Sequence, residues 1–244
     1  MGKDPWDALV DLFVGEVEGD LSPTAADNVL IAWPPILQFI EANVGAGSSV
    51  LDFGCGGGQF ANELHSRGYV VTAVDRSPAM IERARAAFGS TVKFQRGGIE
   101  ALDFEGQFDC VTSIMTLDFI EDVAGALLAL SRRLMTGGVM AIAVHNPRYV
   151  RNWIATGHTY VGFDAASEPK RGFLDFGSGQ TVAMYLRSAN EYNALTKANG
   201  MEQVLQVAPP FTDEFLRLYP QDGPTNDSEY LILGYRRGAS SGAI

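Results

Sequence analysis

Cysteine is nearly absent: Cys55 and Cys110 are the only two in 244 residues. They make no disulfide framework and neither stands in a C-x-x-C pair, so a reducing, cytoplasmic setting is expected. Histidine is as scarce, with three widely separated residues at 65, 145 and 158. With no H-E-x-x-H and no ligand-spaced acidic cluster, no metal is expected. Positive charge is also short, since 18 Lys+Arg against 29 Asp+Glu leave a net charge of −11. That argues against a sequence-independent nucleic-acid binder, whose affinity would come mainly from cations neutralising phosphates, and leaves room only for a local basic patch. No run approaches the ~20 consecutive apolar residues of a membrane helix. The start, Met1-Gly2-Lys3-Asp4-Pro5-Trp6-Asp7, is acidic where a secretory signal is basic and then apolar. A protein with neither nucleic-acid nor membrane partner follows, and the sequence leaves its oligomeric state open.

What is present is an ordinary globular composition, 46% apolar and 19% charged. From residue 36 to 144, short β-branched or apolar runs alternate with helical patterns, as in a parallel sheet with crossover helices. Strands are predicted at 49–53, 69–74, 91–95, 108–113 and 138–144, and helices at 59–67, 78–88 and 122–134. Ser77-Pro78 is a helix start, a cap followed by a first-turn proline. Residues 5–18 and 24–43 read as helical, with Trp33-Pro34-Pro35 breaking or restarting the second. After the fifth strand, 145–180 has weak periodicity with many glycines and aromatics and reads as a long functional loop, a lid or wall over a site. Helix 188–199, strand 202–208, a short helix at 212–218 and strand 228–235 complete a doubly wound, mostly parallel seven-stranded α/β sheet. One domain is expected over 1–237: an N-terminal helical cap (1–45), a cofactor-binding core (46–144), the substrate-side loop (145–187) and the rest of the sheet (188–237). Residues 238–244 read as a flexible tail.

The run Val50-Leu51-Asp52-Phe53-Gly54-Cys55-Gly56-Gly57-Gly58 is a buried strand ending in glycines that feed a helix. Glycine there permits positive φ and lets a ligand approach the backbone. The dinucleotide fingerprint G-x-G-x-x-G fails, because Gln59 stands where its last glycine belongs; G-x-G-x-G succeeds. Asp52, at the strand's carboxyl end, would repel a pyrophosphate but suits a ligand bearing an ammonium group. Asp75 ends the next strand, where a carboxylate accepts hydrogen bonds from both ribose hydroxyls of an adenosine. A nicotinamide oxidoreductase has no other support, since Thr196, not lysine, follows Tyr192 by four residues.

Together these residues resemble the class I S-adenosylmethionine-dependent methyltransferases over most of the chain. Asp52–Gly58 is similar to the family's first motif. Asp75-Arg76-Ser77-Pro78-Ala79-Met80 resembles its ribose-binding turn, often D-x-S-P-x-M, and Gly98-Ile99-Glu100-Ala101-Leu102 its adenine-flanking segment. Gln107–Val111 resembles the fourth strand, and Leu134-Met135-Thr136-Gly137-Gly138 the turn L-x-x-G-G. The resemblance implies a Rossmann-like fold, S-adenosylmethionine as cofactor and S-adenosylhomocysteine as product, with Asp52, Gly54, Gly56, Gly58, Asp75, Arg76, Gly98, Ile99, Glu100 and Met115 around the cofactor.

Within the family, Trp33-Pro34 and Tyr185-Leu186-Arg187-Ser188 resemble elements of small-molecule enzymes, Y-H-R-[ST] in the second case. Leu186 and Asn146 stand where those relatives often carry histidine. Substrate-side candidates are Trp33, Phe119, Asn146, Tyr160, Tyr185 and Arg187, the last pairing with an acceptor carboxylate or with one of the chain's own acids. Trp153, Phe163, Phe173 and Phe176 could complete an aromatic wall. Asp118 is the first candidate for base or acceptor orienter. His145, at the end of the fifth strand, is the second, because an ordinary imidazole pKa of ~6.5 suits proton transfer. The alternative is a protein that keeps the cofactor pocket but catalyses another reaction or uses the ligand structurally.

Overall fold

The computed structural model describes residues 4–13, 26–102, 107–155, 159–164, 170–177 and 180–238. Seven strands form the main sheet: β1 (Ser49–Phe53), β2 (Val70–Asp75), β3 (Lys93–Arg96), β4 (Phe108–Ile114), β5 (Leu134–His145), β9 (Met201–Val207) and β10 (Tyr230–Arg237). Their order is β3-β2-β1-β4-β5-β10-β9. The first five are parallel, and β10 runs antiparallel to both of its neighbours. The chain winds outward from β1 to β3 and then returns to lay β4 beside β1. This reversal opens a crevice at the carboxyl ends of those strands, where α/β sheets bind ligands.

Alternation along the strands divides the core in two. Val50, Ala73, Cys110 and Ala141 face a layer holding Ile36, Ile40, Phe60, Leu64 and Ile81. Leu51, Val74, Val111 and Ile142 face Leu127, Leu130 and Tyr192 on the other side. The first layer comes from α2 (Trp33–Asn43), α3 (Gln59–Ser66) and α4 (Pro78–Phe88), and the second from α5 (Val123–Arg133) and α7 (Ala189–Ala198). Truncating one of these fully buried leucines to alanine costs about 2–5 kcal/mol. Ser77 caps α4 as expected, its Oγ accepting from Met80 N at 3.1 Å, and a Ser188–Glu191 capping box starts α7.

Two regions differ from the expectation. In the N-terminal part, Pro5–Ala8 is a 3-10 turn and α1 (Val10–Phe13) one short turn; 14–18 and 24–25 lie outside the described residues. Trp33-Pro34-Pro35 does not end the second helix but restarts it, the second of the two outcomes expected. Asn28–Ala32 forms a π turn in which Trp33 N donates to Asn28 O, and the prolines take the first turn of α2. The widened turn shifts the carbonyls that the proline rings would meet in a regular α-helix.

The segment 145–180 is not a long loop. It holds α6 (Pro147–Ile154), β6 (Tyr160–Val161) and β7 (Lys170–Asp175), and β8 (Thr181–Leu186) follows, an unexpected strand that completes the antiparallel sheet β6-β7-β8. Tyr149, Val150, Trp153, Tyr160, Leu174, Met184 and Leu186 give this cap a small core of its own. Each element is too short for its period to stand out, and β7 buries Gly172 and Leu174 between Arg171 and the exposed Phe173. The last helix, α8 (Asp213–Leu218), precedes β10. Of the expected tail only Gly238 is among the described residues.

Candidate functional site

The glycine run turns the chain from β1 into α3 with three positive φ angles: +77° at Gly54, +52° at Gly56 and +85° at Gly58. These glycines do different things. A Cβ on Gly54 would sit 2.0 Å from Thr116 Oγ1, so the turn after β4 packs directly on this backbone. A Cβ on Gly58 would meet Phe94 at 2.7 Å, and Gly58 lies off the crevice wall, so its missing side chain serves packing and not the ligand approach expected of it. A Cβ on Gly56 meets nothing within 4 Å and would project into open crevice.

Asp52 is 2% exposed; Thr112 Oγ1 donates to its Oδ1 at 2.8 Å, and its Oδ2 is buried with no partner among the described residues. Burial pushes its pKa up to about 7, opposed by the Thr112 hydrogen bond and reinforced by the charge of Asp75. Such a carboxyl is a place for a cation. Asp75 accepts from Gly56 N on Oδ2 and from Ser77 N on Oδ1, both at 2.9 Å, which fixes the carboxylate while leaving lone pairs free. Burial raises its pKa as well. Further along the rim, Gly98 N donates to Glu100 Oε1 at 2.8 Å, holding the Glu100 pKa below the usual range, and Ile99 lies between them. Met115 carries φ of +50°, a strained conformation for a non-glycine residue, and sits on the wall.

The N-terminal turn, which no motif marks, closes over this half. Arg76 Nε pairs with Asp4 Oδ2 at 2.6 Å on the exposed rim, Ser77 Oγ donates to Asp7 Oδ1 at 2.7 Å, and Trp6 packs edge-on to Phe119 with centroids 4.8 Å apart.

Beyond Phe119 the crevice continues between Trp33, Tyr160, Phe176, Tyr185, His145 and Tyr230, reaching about 1870 Å³ in all. His145 is 2% exposed and forms part of this wall. Asp118, fully buried, stands behind it. Its Oδ2 accepts from His145 N at 2.6 Å and lies 2.8 Å from His145 Nδ1, while Tyr192 Oη donates to its Oδ1 at 3.1 Å. Asp118 is off the wall, so the expectation that it acts directly on an acceptor is corrected: its carboxylate is committed to orienting the imidazole.

Three further expectations change. Asn146 caps α6, its Oδ1 accepting from Arg148 N at 3.1 Å, and does not face the crevice. Arg187 is buried and donates to the carbonyls of Leu117, Ile120 and Glu121, with its guanidinium 5.2 Å from the Tyr185 ring centroid. It clamps the turn that carries Asp118 and Phe119, leaving no fork for an acceptor carboxylate. Trp153, Phe163 and Phe173 lie off the wall, and Trp153 Nε1 donates to Pro224 O at 3.0 Å.

A family model described as a methyltransferase domain matches residues 51–142. The chain is 30% identical over 182 residues to a ubiquinone biosynthesis O-methyltransferase of Psychrobacter arcticus, covering 66% of this chain and 69% of that one. The chain belongs to the class I S-adenosylmethionine-dependent methyltransferases. Among solved structures, the CcbJ methyltransferase of Streptomyces caelestis shares the fold at a TM-score of 0.68 and 19% identity, over 97% of this chain and 99% of that one. An S-adenosylmethionine-dependent methyltransferase of Mesorhizobium loti does so at 0.61 and 22%, over 82% and 96%.

The residues of this methyltransferase fit the cofactor on their own chemistry. Asp52 Oδ2 is a buried oxygen without a partner, and Gly56 leaves a cradle that any Cβ would fill. Sequence reasoning missed Asp27 and Glu229, which line the far end of the crevice. Their signal was faint, an aspartate one residue before an apolar helix and a glutamate one residue before a strand.

Proposed function

We propose that this methyltransferase acts on a small-molecule acceptor, through an O, N or C nucleophile held in the aromatic half of the crevice. The observation that carries the reading is the crevice's size. One ligand occupies roughly 300–1,000 Å³, and about 1870 Å³ has room for a cofactor and a small acceptor together. The name of the curated relative, an O-methyltransferase of ubiquinone biosynthesis, also supports a small acceptor.

When bound, S-adenosylmethionine supplies a methyl group made electrophilic by its sulfonium. The chain's part is to hold both partners in line and keep water out. Asp75 would accept from the ribose hydroxyls, Gly98, Ile99 and Glu100 would flank the adenine, Asp52 would take the ammonium and Met115 would line the methionine portion, with Arg76 on the rim. Phe119, Trp6, Tyr160 and Phe176 form the dry wall. His145 Nδ1 donates to Asp118, which leaves Nε2 to take the proton that the acceptor loses.

Incubating the enzyme with methyl-labelled cofactor and a cell extract, separated into small-molecule and macromolecular fractions, tests the reading. Label is expected in the small-molecule fraction, sharply reduced by His145→Ala, with Asp118→Asn lowering kcat more than it raises KM. Label confined to protein or nucleic acid refutes it.

A further inference from the structure

Building on the small-molecule reading, we infer that the acceptor carries a cationic nitrogen, an ammonium-type group, which docks on the Asp27–Glu229 pair beside His145.

The wall at that end carries two carboxyls, Asp27 and Glu229, with the Asn28 carboxamide, the His145 imidazole and the Tyr160 and Tyr230 hydroxyls beside them. Asp27 sits at the start of the π turn, where its Oδ1 also accepts from Asn28 N at 2.7 Å. Its carboxyl is hydrogen-bonded to that of Glu229, which requires a proton between them, and Tyr230 and Tyr160 support Asp27 and Glu229 respectively. Burial raises the pKa of both acids, and the Asp27 charge raises that of Glu229 further. Two independent observations point to acceptor atoms here with no partner among the described residues. Asn28 Oδ1 is buried without a hydrogen bond and Asn28 lines the crevice. His145, 2% exposed, spends Nδ1 on Asp118, so Nε2 is the ring nitrogen left for this space. π turns also cluster at functional sites.

A group that meets the carboxyl pair together with Asn28 Oδ1 and His145 Nε2 must bring several donors and positive charge. A neutral hydroxyl brings one donor, and an anion is repelled. An ammonium brings three donors and no acceptor, and the rings of Trp33, Tyr160 and Tyr230 favour a cation nearby. The crevice's own cations among the described residues, Arg76 and Arg96, belong to the cofactor half. The pair is also distinct from the cofactor's acids: Asp27 interacts with His145, Glu229 and Tyr230, and Asp52 with Asp75.

Three probes of one size separate the cases: benzylammonium, benzyl alcohol and benzoate, titrated into the enzyme loaded with S-adenosylhomocysteine, with dissociation constants read from NMR shifts. Benzylammonium is expected to bind about tenfold or more tighter than benzyl alcohol, the scale of charge-assisted hydrogen bonds, with benzoate weakest. Asp27→Asn and Glu229→Gln should each bring the cation and the alcohol within a factor of about three, the same charge-assisted margin removed. Both should keep the S-adenosylhomocysteine affinity, which also reports their folding. Benzyl alcohol or benzoate binding as tightly as the cation, no binding of benzylammonium at millimolar concentration, or a preference retained in both variants overturns the inference. If neither variant folds, the wild-type order of the probes decides alone. Failure of S-adenosylhomocysteine to bind the wild type would instead strike the methyltransferase reading, so the two failures are distinguishable.

Discussion

Asp52 ties cofactor affinity to pH in a way that can be worked out in advance. Its carboxyl is pushed up to about 7 in the ligand-free protein, chiefly by burial, and its Oδ2 has no partner. The ammonium of S-adenosylhomocysteine needs the ionised form, so binding below neutrality must expel a proton. The sign is fixed: affinity rises with pH until the free protein is already ionised, and then levels off. With a midpoint near 7, about one molecule in a hundred is ionised at pH 5 and half at pH 7, so the dissociation constant should fall roughly 50-fold across that window. Calorimetry between pH 5 and 8.5, in buffers of different ionisation enthalpy, measures both the slope and the protons released. Asp75, whose pKa is also raised, adds a slope of its own, so Asp52→Asn is the control that removes only the Asp52 part and weakens binding at high pH. An unchanged slope in that variant, or an affinity that falls as pH rises, refutes the assignment of Asp52 to the ammonium.

The other predictions concern neighbouring residues. Gly56→Val should abolish S-adenosylhomocysteine binding in calorimetry, because a Cβ there projects into open crevice and the φ of +52° strains any side chain; the circular dichroism should stay that of a folded protein. Asp75→Ala should weaken the cofactor by one to two orders of magnitude, about 1.5–3 kcal/mol of charge-assisted hydrogen bonding. Arg187→Ala should lower Tm by removing three backbone contacts under the 117–121 turn, while cofactor affinity measured below the transition persists.

The part of the crevice lined by Asp52, Gly56 and Asp75 was legible because it is written in short, contiguous stretches. The glycines at 54 and 56 leave β1 and Asp75 ends β2, so local spacing alone implied a strand, a tight turn and two acids at one sheet edge. The half of the crevice proposed for the acceptor is assembled from distant places: Asp27 just before a π turn, His145 at the end of β5 and Glu229 just before β10. No spacing rule joins them, since only the pairing of β5 with β10 brings residues 145 and 230 into register. Asp118 and Arg187 show a second limit. Their sequence neighbourhood marked them as special, but whether a charged side chain faces substrate or backbone depends on burial, and both turned inward. Segment 145–180 hid its regular structure because two to eight residues are too few for a period to declare itself.

A crystal structure of the enzyme with S-adenosylhomocysteine tests most directly that this crevice is the cofactor site. The expected density runs along the carboxyl ends of β1, β2 and β4, with the ribose hydroxyls on Asp75, the amino group on Asp52 and the sulfur turned toward His145. Density elsewhere, or a ligand in the crevice with its ribose away from Asp75 and its amino group away from Asp52, would contradict it.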